Sequence, residues 1–234
     1  MAAKALVVSG VVLAALFRCG WLEAADLLAD LRVQTNVPPR TVGASKEVAA
    51  AVLRDIGVTI AWTTGDSPDE HDPRMPWRRI VVIDEPTAAY SGALANEQVL
   101  GVSPRSLDEP GRVGVIFYKR VLRTSREARI RSGSLLGYAI AHEIAHLLLP
   151  AGHAGTGVMR ASWSGADLHR IATGVLAFDP PCAALIRNPT RRSGEPLMRC
   201  QLARSVPAGR TERDSRLYGR HRFQTFQGGR YESH

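Results

Sequence analysis

His142-Glu143-Ile144-Ala145-His146 places two imidazoles at i and i+4, with a carboxylate directly after the first. On an α-helix those histidines stand one turn apart on one face, so both rings can reach a single ion. Zn2+ takes neutral imidazole nitrogen at about 2.0–2.1 Å, and a catalytic ion uses three protein ligands and leaves a fourth position to water. Glu143 lies about 100° further round the helix, where its carboxylate can accept a proton from water instead of ligating the ion. The chemistry open to such a pattern is hydrolysis, with the metal lowering the pKa of water to about 7 and the glutamate as general base.

A third ligand has to come from outside the helix, and the following residues supply a route. Leu147-Leu148-Leu149 finish the apolar run, and Pro150 disfavours helix at the residue before it. Gly152 permits a positive φ, so the chain can reverse and swing His153 back towards the pair. Gly155 and Gly157 allow a second tight turn that would set Met159 beneath the metal, its sulfur an apolar floor rather than a ligand. Leu135, Leu136, Ala139, Ile140, Ile144, Leu147 and Leu148 recur at helical spacing, and Ser132 or Ser134 would cap the helix. A buried helix with two ordinary satisfied histidines is the plain alternative. The helix stop, the third His and the glycine-Met turn together favour the metal.

The stretch HEIAHLLLPAGHAGTGVMRASW resembles the zincin metallopeptidases, and within them the metzincin branch, known for H-E-x-x-H-x-x-G-x-x-H and a Met-turn. It is similar also to bacterial secreted proteins with a comparable His-Glu helix, late His and Gly-Ile/Val-Met-Arg turn. His142, Glu143 and His146 match; the family glycine falls at Leu149, and His153 lies one position later than the pattern. The likeness covers about residues 134–163. It implies a zinc-dependent metalloendopeptidase with His142, His146 and His153 on Zn2+, Glu143 as catalytic base, and a peptide or protein substrate. In related arrangements an Asp or a later Glu is the third ligand, so Asp167 and then Glu195 stand behind His153. Asp167 reads equally as a first-turn acid on the helix opened by Ser164. Arg160 and Tyr118 are candidates for stabilising the oxyanion.

The implied fold is α+β: a zincin-like domain with a small mixed sheet, an active-site helix carrying the motif, a Met-turn and a C-terminal helix. Three segments are expected. Residues 1–25 form a signal peptide or N-terminal hydrophobic segment, 26–187 the zincin-like domain, and 188–234 a basic, disordered tail. Lys4 precedes an apolar run from Ala5 to Phe17, too short to span a bilayer and suited to a signal-peptide core. Export, secreted or periplasmic, follows as an expectation, with no stable membrane span. Removal of a leader would take Cys19 and leave Cys182 and Cys200 able to pair.

The net charge is +8, but ten arginines and four acids lie from Asn188 onward, leaving only +2 for the rest of the chain. Basic character therefore belongs to the tail. Its arginines and scattered aromatics raise the alternative of a non-catalytic zinc- or polyanion-binding protein. The charge is dispersed and interrupted by glycines, so no specific nucleic-acid partner is expected.

Ahead of the motif, alternation predicts a strand at Asp30–Thr35, and Ser45 opens a helix closed by Gly57. Val58–Trp62, Arg79–Ile83, Val99–Val102 and Gly114–Tyr118 read as further strands. Gly65–Pro76 reads as a polar loop, and Ser164–Phe178 as an amphipathic helix. After Asp179-Pro180-Pro181 the pattern fades. By resemblance, the strand just before the active helix borders the cleft, where an extended substrate could add; the plain reading of Val115–Tyr118 is a core strand, and the two are compatible.

Overall fold

The computed structural model describes residues 26–63, 76–106, 111–149, 152–187 and 221–227. The expected leader, Cys19, most of the Gly65–Pro76 loop, Glu195, Cys200 and the greater part of the tail lie outside the described residues. An α+β arrangement is observed, as expected. In chain order it runs β1 (Leu27–Val33), α1 (Pro39–Arg54), β2 (Ile60–Thr63), β3 (Trp77–Ile83), a 3-10 turn (Ala88–Tyr90) and α2 (Ser91–Leu94). Then come β4 (Val99–Ser106), β5 (Val113–Phe117), α3 (Tyr118–Glu127), α4 (Ser132–Leu148), α5 (Gly165–Thr173), α6 (Pro180–Arg187) and β6 (His221–Gln227).

The mixed sheet has the order β2-β1-β3-β5-β4-β6. β1 pairs in parallel with β2 and β3, and β3 with β5, whereas β4 is antiparallel to β5 and β6. Strand alternation sorts side chains between two cores. Ile80 and Val82 of β3 and Ile116 of β5 join the larger cluster with α1 and α4, while Val81, Ile83, Val115 and Phe117 join a smaller one with Tyr90, Ala93, Val99 and Val102. Each fully buried Leu, Ile or Val contributes about 1.5–3 kcal/mol.

α4 is buried from Leu135 to Leu148 on every side, the signature of a central helix rather than a surface one. Two of its glycines let α1 approach closely. A Cβ at Gly137 would lie 2.6 Å from Val48 Cβ and 2.8 Å from the Ser45 carbonyl oxygen, and one at Gly133 would lie 3.0 Å from Ala44 Cβ. Among the described residues no helix is long and apolar enough to cross a membrane.

Several boundaries depart from the sequence reading. α1 starts six residues before Ser45, with Pro39 in its first turn, and Ser45 instead donates its hydroxyl to the Val42 carbonyl. Pro suits that position because the N–H it lacks would have had no helical partner. Neither Ser132 nor Ser134 caps α4; Arg131 stands at the N-cap without a side-chain hydrogen bond. Tyr118 ends no strand but opens α3. α5 stops at Gly174, in the left-handed conformation at φ 75°, short of the expected Phe178. α6 occupies a stretch where the sequence pattern fades, and it buries Cys182, Ala183 and Ile186. Within the tail, expected to be disordered, His221–Gln227 form β6: its backbone pairs with β4, whose outer side is otherwise a sheet edge with donors and acceptors to satisfy.

Candidate metal centre

α4 presents His142, Glu143 and His146, all fully buried. Leu149 ends the helix in an extended conformation (φ −100°, ψ 159°), as a residue preceding proline requires. Gly152 follows at φ 134°, a value open to glycine and strained for other residues, and the chain turns back to bring His153 over the pair.

The three imidazoles converge. Ring centroids are 4.5 Å apart for His142 and His146, 4.7 Å for His146 and His153, and 5.5 Å for His142 and His153. One ligand nitrogen from each lies within 4.8 Å of the others, close enough to hold a metal ion. Nε2 of His146 faces Nε2 of His153 at 3.1 Å. Two nitrogens on one tetrahedral zinc stand roughly 3.3 Å apart, given bonds of about 2.0–2.1 Å.

His142 shows how the ring is oriented. Its Nδ1 lies 2.7 Å from the Val158 carbonyl oxygen. A carbonyl can only accept, so Nδ1 carries the proton and Nε2 the lone pair of the neutral ring. Burial and the neighbouring His153 hold the His142 pKa well below its ordinary value, despite that bond. A neutral imidazole with Nε2 as donor atom is the form a metal takes.

Val158 is itself fixed. Its N–H donates to the Ala177 carbonyl at 3.0 Å, and its carbonyl also accepts from Trp163 Nε1 at 3.3 Å. Ala154 N–H donates to the Met159 carbonyl at 2.8 Å, closing the loop on itself. Gly157 has φ 72°, and a Cβ there would lie 2.4 Å from the Ala177 carbonyl oxygen, so no other residue fits the turn. Met159 is buried in the larger core with Val158 and Trp163.

The Glu143 carboxylate is held by the sheet. Ser103 on β4 donates its hydroxyl to Glu143 Oε2 at 2.7 Å, and lies 3.2 Å from the Glu143 carbonyl oxygen. Oε1 is buried without a hydrogen-bond partner. Burial pushes the Glu143 pKa up to about 8, against the lowering effect of the Ser103 bond. A basic carboxyl with one oxygen held and the other open is equipped to take and return a proton.

Neither Ser103 nor Gly101 was foreseen as part of the site. A Cβ at Gly101 would stand 2.6 Å from Glu143 Oε1 and 2.8 Å from the Val115 carbonyl oxygen. The β4 register slips between Val99 and Gly101, a bulge that re-aims the strand beside the carboxylate. A glycine inside a strand pattern was the available signal for such a close approach. Gly101→Ala is therefore expected to displace the Glu143 carboxylate. Metal affinity measured by chelator competition should change less than about threefold, and any hydrolysis that uses Glu143 as base should fall at least tenfold, the cost of about 1.4 kcal/mol in the transition state.

The strand before the active helix does not border an open edge. β5 has β3 on one side and β4 on the other, and β4 carries Ser103 and Gly101 to the carboxylate. That corrects the expectation that a substrate strand could add alongside Gly114–Tyr118, and agrees with its plain reading as a core strand. The physical reason is the antiparallel return of β4, which takes the position outside β5.

The second-choice ligand, Asp167, is engaged elsewhere. It closes a capping box on α5: Ser164 N–H and Oγ donate to Oδ2 at 2.9 and 2.7 Å, and Arg160 Nη1 adds an ion pair at 2.8 Å. Burial raises the Asp167 pKa, and the Ser164 and Arg160 bonds outweigh it, so the carboxyl titrates below its ordinary value. A depressed acid contributes stability above the unfolded-state pKa of about 3.9, and loses it as pH falls through the lower folded value. Asp167→Ala should cost about 1–3 kcal/mol at pH 7. In denaturant titrations of metal-free protein, that difference from wild type should shrink as pH drops below the ordinary carboxyl range.

Arg160 is thus tied to Asp167 and Ser164, and Tyr118 is buried in the larger core, so neither is poised as an oxyanion donor. No protein-family model and no curated protein matches this chain.

Proposed function

We propose that the chain is a zinc-dependent endopeptidase of zincin type, and that His142, His146 and His153 hold the ion. The observation that carries this reading is the convergence of three imidazoles beside a fully buried glutamate whose Oε1 is open. The donor set suits zinc: three neutral nitrogens of borderline softness, no thiolate and no cluster of carboxylates that would favour calcium or magnesium. Bound zinc supplies Lewis-acid polarisation of a carbonyl and acidification of water.

The chain's own groups then have distinct tasks. Glu143 Oε1 takes the proton of the attacking water and returns it to the departing amine nitrogen. Ser103 holds Oε2, which fixes the direction in which Oε1 faces. The Val158 carbonyl fixes the His142 tautomer, and the turn through Gly157 fixes Val158. Apolar walls from α4 and the loop around Met159 exclude bulk water and strengthen the polar interactions inside. The zincin-like architecture and the export of the protein belong to the same proposal.

The test is hydrolysis of an internally quenched peptide library by purified full-length protein. Activity should vanish on removing metal with a chelator and return with stoichiometric Zn2+. Zinc bound at one equivalent with no cleavage of any peptide would leave a metal site without this activity.

A further inference from the structure

We infer that residues His221–Gln227 are an internal competitor of the peptide substrate, occupying the β4 edge along which an extended chain would pair beside Glu143. The inference rests on the hydrolytic reading above and adds to it where the substrate backbone binds and how access is controlled.

β4 is the strand nearest the carboxylate, through Ser103 and Gly101. One side of β4 is closed by β5, so its other side is the place where a backbone can add by strand pairing. β6 takes that side over the whole length of β4. The antiparallel register runs from Val99 opposite Gln227 to Ser106 opposite His221, with Val102 opposite Thr225 and Ser103 opposite Gln224. β6 also lies against α4. The backbone of Gln224 and Phe226 therefore lies across from Ser103 and Gly101, the two residues that abut Glu143.

A strand carried on the same chain competes intramolecularly, at an effective concentration rather than a bulk one, and a site open only part of the time binds substrate more weakly by that fraction. Release of β6 should lower KM for peptides about 10–100-fold with little change in kcat, since the groups at the metal centre are untouched. Anything that drew the tail away, such as a polyanion engaging its arginines or a cut ahead of His221, would open the site.

Two full-length variants test this in opposite directions. Gln224→Pro/Thr225→Pro removes two consecutive N–H donors, so β6 can no longer complete its ladder. Arg105→Cys/Arg222→Cys places thiols at facing positions, within the Cα separation that a disulfide spans. Two readouts are taken: KM for a quenched peptide, and fluorescence anisotropy of a labelled peptide of sequence His221–Gln227 added to metal-free protein. The released variant should show the lower KM and bind the labelled peptide, which wild type should exclude. The oxidised cross-linked variant should lose cleavage and binding at least tenfold and regain both on reduction. Unchanged KM and peptide binding in both variants would make β6 an ordinary structural strand. If the released variant binds the labelled peptide and no form cleaves anything, the edge assignment stands and the hydrolytic reading falls. Zinc-dependent cleavage indifferent to both variants sinks the competitor alone.

Discussion

Glu143→Ala is expected to bind one equivalent of zinc with near wild-type affinity and to lose peptide hydrolysis by about 10²–10⁴-fold, the usual contribution of a positioned general base. The separation of the two effects follows from the geometry. Glu143 is not among the residues whose ligand atoms gather at the metal centre; its carboxylate is held by Ser103 on the neighbouring strand. Truncation thus removes the proton carrier and leaves the three imidazoles and their orienting bonds in place. The metal-free fold should tolerate the change, because a fully buried carboxyl whose pKa is raised to about 8 is one whose charged form is costly there. Chelator competition gives the affinity and a quenched-peptide assay gives kcat/KM. Loss of metal in parallel with loss of activity would turn Glu143 into a ligand.

His153→Ala is expected to weaken zinc binding by more than about 100-fold, since removing a partner that merely orients a ligand already costs about 10–100-fold. The metal-free protein should keep its melting temperature within a few degrees, because His153 is only half-buried and sits on a loop. This variant separates the alternatives for the third ligand. Asp167 is occupied by Ser164 and Arg160, so Asp167→Ala should leave zinc affinity unchanged while costing stability. Full zinc occupancy in His153→Ala, measured against the same chelator, would hand the third position to another group.

Much of this was legible in local pattern. The strands at β3 and β5 announce themselves through runs of Val and Ile, β1 only through the alternation from Asp30, which misses its start at Leu27, and α4 through apolar residues at helical spacing. The turn that returns His153 is written in Pro150 and Gly152, and the one beneath the histidines in Gly157. What local pattern could not reach are contacts across long stretches of chain. Ser103 and Glu143 are separated by 40 residues, and nothing in Val99–Val102 as a weak strand says that it will fold back outside β5. α3 was hidden because its outward face is arginine-rich, with Arg120 turned inward to the carbonyls of Ala93, Asn96 and Val99. Its apolar stripe is correspondingly thin. Helix starts were misplaced where the termini do without the expected serine caps, as at Pro39 and Ser132. β6 lay in a segment whose composition points to disorder, and its order comes from an unsatisfied neighbouring edge that composition does not register.

Zinc K-edge X-ray absorption on the full-length protein, loaded with one equivalent of Zn2+, tests the convergence of the imidazoles most directly. Three imidazole nitrogens and one oxygen at about 2.0–2.1 Å are expected, with one imidazole lost from the spectrum of His153→Ala. A first shell with fewer than three imidazoles, one containing sulfur, or a protein that fails to retain zinc would contradict the proposed site.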